Sequence, residues 1–180
     1  MVTPKNTAMG LIPLDIADVI LATFGITEPT ETYERRVTTG GFRSENFADV
    51  LYESRFVFVI DNSVPLEELC ADIATALAEL GAPVDVETDE QDGTTAALTS
   101  PYAARVVRFD RSAGDGYDAA EAIIRAFQAA AGTAAEFRAR PGDEEGDCWI
   151  YAVLTQKEWR ELDALQGGVI RQYFAPLTPA

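Results

Sequence analysis

The sequence predicts an α+β protein built on a mainly antiparallel sheet with helices on one face. An order of strand, helix and hairpin, βαββ, runs twice, over residues 55–100 and again over residues 104–155. Two amphipathic helical stripes and several short strand patterns bounded by turn residues fall within that order. The chain has 180 residues, 47% of them hydrophobic, which is long enough for one buried core. We therefore expect a single domain, residues 1–180.

The N-terminal part, residues 1–54, is expected to form a helix and a hairpin. The helix is predicted from about Asp15 to Phe24, and Gly25 is suited to end it. Four residues at helical spacing form its predicted apolar side: Ile16, Val19, Ile20 and Phe24. Tyr33–Thr38 and Phe42–Phe47 are predicted strands, because the Gly40-Gly41 pair between them tolerates the positive φ of a tight turn.

The first βαββ unit is predicted from four segments between residues 55 and 100. These are a strand Arg55–Ile60, a helix from about Pro65 to Leu80, and strands Pro83–Thr88 and Thr94–Thr99. Ser63 is a predicted N-cap of the helix, and Gly81 is suited to end it. Six residues share the apolar face of this helix: Leu66, Leu69, Cys70, Ile73, Leu77 and Leu80.

The second βαββ unit, residues 104–155, repeats the plan with other residues. Its segments are Arg105–Phe109, a helix from about Tyr117 to Ala130, Ala134–Ala139 and Cys148–Leu154. Asp115 is a predicted N-cap and Gly132 a predicted stop. The apolar stripe consists of Ala120, Ile123, Ile124 and Phe127. Glu121 and Arg125 stand four residues apart on the exposed side, where an ion pair is favoured.

Residues 156–180 are expected to add a helix and a last strand. Thr155 and Glu158 form a capping box, which predicts a helix that begins there, and Val169–Phe174 is the predicted strand. Phe56–Ile60 and Cys148–Leu154 are apolar at successive positions, which predicts two central strands covered on both faces. In element order the two units resemble the duplicated modules of GyrI-like effector-binding proteins. The resemblance implies a small-molecule site in the cleft between the units.

Charge is distributed very unevenly along the chain. The net charge is −16, and residues 55–100 contribute −9 of it, with one Arg and ten Asp or Glu. The helix and hairpin of this unit are predicted to present the carboxylates together, on what we call the acidic face. Its members are Glu68, Asp72, Glu79, Asp85, Glu87, Asp89, Glu90 and Asp92. Such a face attracts basic proteins and repels nucleic acid and anionic membrane, although charge runs of this kind also serve only as solvated surface.

Several chemistries are excluded or disfavoured by composition. The chain has no His, which removes His-dependent nucleophilic catalysis and His-ligated zinc. Its two Cys, Cys70 and Cys148, are expected to be structural in a reducing compartment. No apolar run is long enough for a membrane span, and no signal peptide is evident. We expect a cytoplasmic protein, or a virion protein if the chain is an assembly subunit, of bacterial or phage origin.

Two further patterns suggest ligand sites but fit other roles better. Gly114–Ala119 has the spacing of a dinucleotide fingerprint, yet Asp115 and Asp118 would face a pyrophosphate with like charge. The acidic turns Asp89–Gly93 and Asp143–Asp147 lack the ligand spacing of a calcium loop. We therefore expect no cofactor, no metal and no catalytic residues.

The function predicted from these observations is non-catalytic and works through protein–protein contacts. The partner is expected to carry a basic surface, and a homo-oligomer stays open. The protein would be an inhibitor or immunity-type partner of a basic protein, or a subunit of a phage or secretion particle. The alternative is a small-molecule effector-binding module with its ligand between the two βαββ units.

Overall fold

A computed structural model describes residues 11–27, 37–38, 41–61, 64–88, 95–108, 116–141, 148–165 and 168–177. The chain divides into two compact units, Met1–Ser54 and Arg55–Ala180, and the division falls where the first βαββ unit begins. The first unit contains β1 Leu11–Ile12, α1 Leu14–Thr23, β2 Val37–Thr38, β3 Gly41–Arg43 and α2 Ser44–Leu51.

The first unit confirms the N-terminal helix and the hairpin but shortens the second strand. β2 and β3 pair antiparallel, with Val37 opposite Phe42, and β1 joins on the other side of β3. The strand predicted to run to Phe47 ends at Arg43, and α2 begins at Ser44. Phe47, Ala48, Val50 and Leu51 are all buried. That three- and four-residue spacing lets a helix bury one apolar side.

Helix α1 is rotated relative to the predicted register. Ala17, Ile20, Leu21 and Phe24 are buried, whereas Val19 is 48% exposed, so its predicted place in the core was wrong. Gly25 follows the helix with a φ of +70°, as a C-terminal stop requires. The Ser54 hydroxyl donates a 2.6 Å hydrogen bond to the Phe24 carbonyl, which satisfies an acceptor at the end of α1.

The second unit contains all the elements of the two predicted βαββ units, within one or two residues of their expected bounds. In chain order they are β4 Val57–Asp61, α3 Leu66–Glu79, β5 Asp85–Thr88, β6 Thr95–Thr99, β7 Ala104–Arg108, α4 Gly116–Ala131, β8 Ala135–Ala139 and β9 Cys148–Thr155. They are followed by α5 Gln156–Ala164, a 3₁₀ turn Val169–Gln172 and β10 Ala175–Pro176. The protein is α+β, and all its described strand pairs are antiparallel.

Strand pairing in the second unit crosses between the two βαββ units. One described sheet has the order β10-β8-β9-β4, and the other has the order β5-β6-β7. The first strand of each βαββ unit therefore pairs with the last strand of the other unit. The strands do not form the one sheet that was expected. Among the described strands β4 lies at the edge of its sheet, where a central strand was predicted, whereas β9 is central as predicted.

Helices α3 and α4 bury the predicted stripes. Ile73 and Ile124 are both completely buried, and the other predicted core positions of α4 are buried with them. Gly81 and Gly132 follow the two helices with φ of +78° and +61°. Pro65 stands at the N-cap position of α3, and the predicted caps Ser63 and Asp115 lie outside the described residues.

The C-terminal segment begins as predicted and ends differently. Thr155 and Glu158 form both hydrogen bonds of the capping box at the start of α5. The predicted strand Val169–Phe174 is a 3₁₀ turn followed by the short strand β10, so that prediction was wrong. Ile170, Tyr173 and Phe174 are buried, and this three-residue spacing suits a tight helical turn better than the alternation of a strand.

Candidate protein-docking surface

The outward side of α3 carries a row of carboxylates. Because Leu69 and Ile73 are buried, Glu68, Asp72 and Glu79 are exposed on the opposite side. Their spacing of four and seven residues places them along one line of the helix surface, which we call the α3 stripe. Glu67, which the sequence analysis did not include, is also exposed. The helix contains no Lys or Arg to neutralise them.

Only one end of the α3 stripe has a described cation beside it. The Arg55 Nε lies 2.6 Å from Glu79 Oε2, with the two side chains 61% and 39% exposed. The same guanidinium carbon lies 5.0 Å from the centre of the Phe56 ring. Among the described residues, no cation is within ion-pair distance of Glu68 or Asp72. The uncompensated charge is therefore concentrated in the first half of α3.

The two acidic side chains of β5 do not share this surface. Asp85 and Glu87 are exposed and alternate with Val86 and Thr88 along the strand. The buried side of the neighbouring strand β6 carries Ala96 and Leu98, which face the same way as Thr88 and Val86. Since α3 packs against β5 and β6, the β5 carboxylates point away from the helix side of the sheet.

The predicted acidic face is thus two surfaces among the described residues. One is the α3 stripe, and the other is the outer side of β5. Asp89, Glu90 and Asp92, predicted to continue the acidic face, lie outside the described residues. Sequence periodicity placed each carboxylate outward but could not place helix and strand relative to each other.

A pocket of about 210 Å³ adjoins the α3 stripe. Its lining comes from the start of β4 and from the middle of α3: Arg55, Val57, Phe58, Asp72, Thr75 and Ala76. Val57 and Phe58 are consecutive strand residues, so their side chains point to opposite faces of the sheet. A pocket lined by both must open at the edge of β4. No sequence signal indicated this pocket, because it depends on β4 being an edge strand.

The hydrogen-bond register shows which backbone groups of β4 face that edge. The Val153 N–H donates to the Phe56 carbonyl at 2.9 Å, so the opposed pair Phe56 and Val153 is a hydrogen-bonded one. Along an antiparallel ladder, hydrogen-bonded and non-bonded pairs alternate. Phe58 and Ile60 therefore bond to β9, while the backbone groups of Val57 and Val59 point away from it.

A buried ion cluster in the C-terminal segment was missed by sequence reasoning. Arg138 on β8 is 4% exposed and donates two hydrogen bonds, of 2.8 and 3.1 Å, to the carboxylate of Asp163 on α5. Arg138 also pairs with Glu136 at 2.8 Å, and its guanidinium lies 4.3 Å from the ring centre of Trp159. The Trp159 indole N–H donates to the Glu136 carbonyl at 2.7 Å.

The cluster has a structural role. Arg171 adds a second guanidinium at 2.9 Å from Asp163, and hydrogen bonds from Arg171 and then Arg138 lower the pKa of Asp163 from 3.8 to about 2. Two cations and two carboxylates satisfy one another, so no charge is left for a ligand. The cluster fastens α5 and the 3₁₀ turn to β8. Its members come from separate elements, so no local sequence pattern predicts the cluster.

The remaining reactive groups agree with structural roles. Burial raises the pKa of the Cys70 thiol to about 12, so the thiol stays protonated and is a poor nucleophile. Cys70 and Cys148 are both free, and Cys148 is half-buried. Among the described residues, no three His, Cys, Asp or Glu side chains are grouped so that they could hold a metal ion. Residues 116–119 of the Gly114 motif form the start of α4, whereas Gly114, Asp115 and both acidic turns lie outside the described residues.

Comparison with protein-family models, curated proteins and solved structures finds no match. Within the described part of the chain, no helix has both the length and the apolar character that a membrane crossing requires. The resemblance to GyrI-like proteins thus stays one of element order.

Proposed function

We propose that this protein is non-catalytic and works by binding a basic protein through the α3 stripe. The observation that supports the proposal is the pair of exposed carboxylates Glu68 and Asp72, which have no cation beside them in the described structure. Elsewhere in the second unit, Glu121, Glu136 and Asp163 each have an arginine partner. A helix surface whose carboxylates have no cation beside them is suited to an external cation.

Electrostatics gives this surface a kinetic use. A net charge of −16, more than half of it in residues 55–100, creates a field that steers a basic partner toward the first βαββ unit. Charged surfaces of this kind raise the association rate and select partners by sign. The proposal covers an inhibitor or immunity-type protein and a subunit of a particle, in the cytoplasm or in a virion. The small-molecule alternative draws no support from the pocket at β4, which opens at a strand edge.

The test compares two charge reversals of equal size. A partner is first captured from the host and identified by mass with its stoichiometry. Association rates are then measured for the unmodified protein, for Glu68→Lys with Asp72→Lys, and for the control Asp15→Lys with Glu161→Lys. Asp15 and Glu161 are exposed and lie outside α3.

At low salt we expect the α3 reversal to slow association about tenfold or more, and the control to slow it much less, because the local field dominates encounter. High salt should bring the three rates together. Equal rates for both reversals at low salt, or rates that do not respond to salt, would contradict the proposal.

A further inference from the structure

We propose that the edge of β4, which no described strand covers, takes up an extended, lysine- or arginine-bearing segment of the partner as an added strand. The inference rests on the proposed function and names how the partner binds. Addition of a strand to a sheet edge gives affinity through main-chain hydrogen bonds and specificity through alternate side chains. Three features of β4 favour it: an undefended edge, an adjoining pocket and a neighbouring row of carboxylates.

Three other strands at described sheet edges carry features that β4 lacks. β5 presents Asp85 and Glu87, β7 carries Arg105, and β10 contains Pro176. Charges and proline are the usual devices that keep a sheet edge from pairing with another chain. β4 reads Val-Phe-Val-Ile before its final Asp61 and contains neither device within that run.

The edge of β8 is closed by a side chain. The Gln128 amide nitrogen donates to the Ala135 carbonyl at 3.0 Å, and the Phe137 N–H donates to the Gln128 amide oxygen at 2.7 Å. One glutamine of α4 thus occupies the backbone groups that β10 does not reach. The corresponding position of α3, at the same distance before the terminal glycine, is the buried Leu77. α3 therefore supplies no such side chain to β5, the strand that follows it as β8 follows α4.

The groups that an incoming strand needs are available on β4. The backbone N–H and C=O of Val57 and Val59 point away from β9, as the register requires. The Val59 side chain is 41% exposed, so the strand is accessible at its middle. A partner strand of about seven residues would cover β4, since each extended residue spans about 3.3 Å.

The neighbouring helix selects the chemistry of the segment. The pocket at the edge is lined by Phe58, Thr75 and Ala76 and by two charged residues, Asp72 and Arg55, of which Arg55 already pairs with Glu79. A side chain from an added strand would lay its apolar stem against Phe58 and its charged head beside Asp72. Lys and Arg have this combination of an apolar stem and a cationic end. Alternating basic and apolar residues therefore fit the edge.

Charge argues against a second copy of this chain as the occupant. Two copies paired edge to edge through β4 would place two α3 stripes near one shared edge. Like charges that face each other at an interface oppose association. The uncompensated Glu68 and Asp72 of both copies would have to approach without a described cation between them. A basic partner avoids this repulsion and is attracted by the same carboxylates.

The test uses short blocked peptides as probes. One peptide of about seven residues alternates Lys and Val, a second is the same peptide N-methylated at every backbone amide, and a third replaces Lys with Glu. Each is titrated at low salt into the full chain with isotope-labelled amides. The Lys–Val peptide should slow hydrogen exchange at Val57 and Val59. The N-methylated and Glu-bearing peptides should bind at least about tenfold more weakly. The first lacks the main-chain donors of an added strand, and the second lacks the basic side chains.

A protein variant provides the matched control. Val59→Pro removes a backbone N–H that points away from β9, so the β4–β9 ladder keeps its bonds through Phe58 and Ile60. This variant should bind the Lys–Val peptide about tenfold more weakly. The peptide comparison uses the unmodified protein, so the inference is tested even if the variant folds poorly.

The inference would be overturned by any of several results. Equal binding of the N-methylated peptide, protection at β5 or β7 in place of β4, or no binding of the Lys–Val peptide would each exclude strand addition at β4. A dimer that Val59→Pro dissociates would assign the edge to a second copy. If Glu68→Lys with Asp72→Lys abolishes binding and Val59→Pro does not, strand addition fails while the proposed docking by α3 survives.

Discussion

The two βαββ units share their buried design and differ in what they expose. Ile73 and Ile124 are both fully buried, and Gly81 and Gly132 both end their helices with positive φ. On the exposed side of α4, by contrast, the Glu121 carboxylate accepts a 2.7 Å hydrogen bond from Arg125, whereas α3 has no basic residue at all. The interior fixes the path of the chain, so the surface is free to diverge.

The difference extends to the strand edges. The second βαββ unit uses Gln128 to cover β8 and Arg138 to hold the C-terminal segment, so these polar groups are engaged within the molecule. The first βαββ unit leaves the edge of β4 and the carboxylates Glu68 and Asp72 unengaged among the described residues.

The largest expected effect tests the shared interior. Ile73→Ala and Ile124→Ala should each lower the free energy of unfolding by about 4 kcal/mol, because each removes a fully buried side chain and leaves a cavity. Denaturant unfolding monitored by circular dichroism measures both. A loss below about 1 kcal/mol in one of them would break the equivalence of the two helices.

An intermediate effect tests the engaged side of the comparison. Asp163→Asn should lower the free energy of unfolding by about 2–3 kcal/mol, because Arg138 stays buried and loses the carboxylate that accepts two of its hydrogen bonds. The control Glu161→Gln affects an exposed pair with Lys157, at 3.8 Å, and should change stability by less than about 0.5 kcal/mol. Equal stabilities of the two variants would show that the buried cluster does not hold the C-terminal segment.

The same residue predicts a pH dependence. The pKa of Asp163 in the folded protein is about 2, below its ordinary 3.8, so ionisation stabilises the folded state above about pH 4. This contribution, about 2 kcal/mol at most, is lost as the pH falls from about 4 to 2. Asp163→Asn should therefore flatten the stability profile in that window. An unchanged slope in the variant would contradict the assignment.

The smallest expected effect sharpens the contrast between the exposed faces. Glu121→Ala removes the carboxylate that pairs with Arg125 and should lower the free energy of unfolding by about 0.3–0.5 kcal/mol. Glu68→Ala should be neutral within about 0.3 kcal/mol, or stabilising, because Glu68 has like charges nearby and no described cation partner. Thermal unfolding of the two variants side by side gives the comparison. A larger loss for Glu68→Ala would indicate a partner within the folded chain.

Local pattern was enough to identify most elements of the second unit. The apolar stripe through Ile73 predicted α3, and the stripe through Ile124 predicted α4. The capping box at Thr155 predicted the start of α5. These signals work because helical periodicity and capping depend on residues only three or four positions apart. The outward placement of Glu68 and Asp72 followed from the same periodicity.

Tertiary structure decided the features that depend on distant partners. The apolar run of β4 fits a central strand and an edge strand equally well, and only its pairing with β9 of the other unit settles that it is an edge. The Arg138 cluster joins residues 25 and 33 positions apart, so no local spacing reveals it. The 3₁₀ turn at Ile170 and the helix at Ser44 formed where strands were expected, because burial against the rest of their own units outweighed strand propensity. In α3 and α4 the sequence by itself determined which residues are buried, since neighbours on one helix face set that choice. Which edge stays open was decided by long-range pairing, which local sequence does not encode.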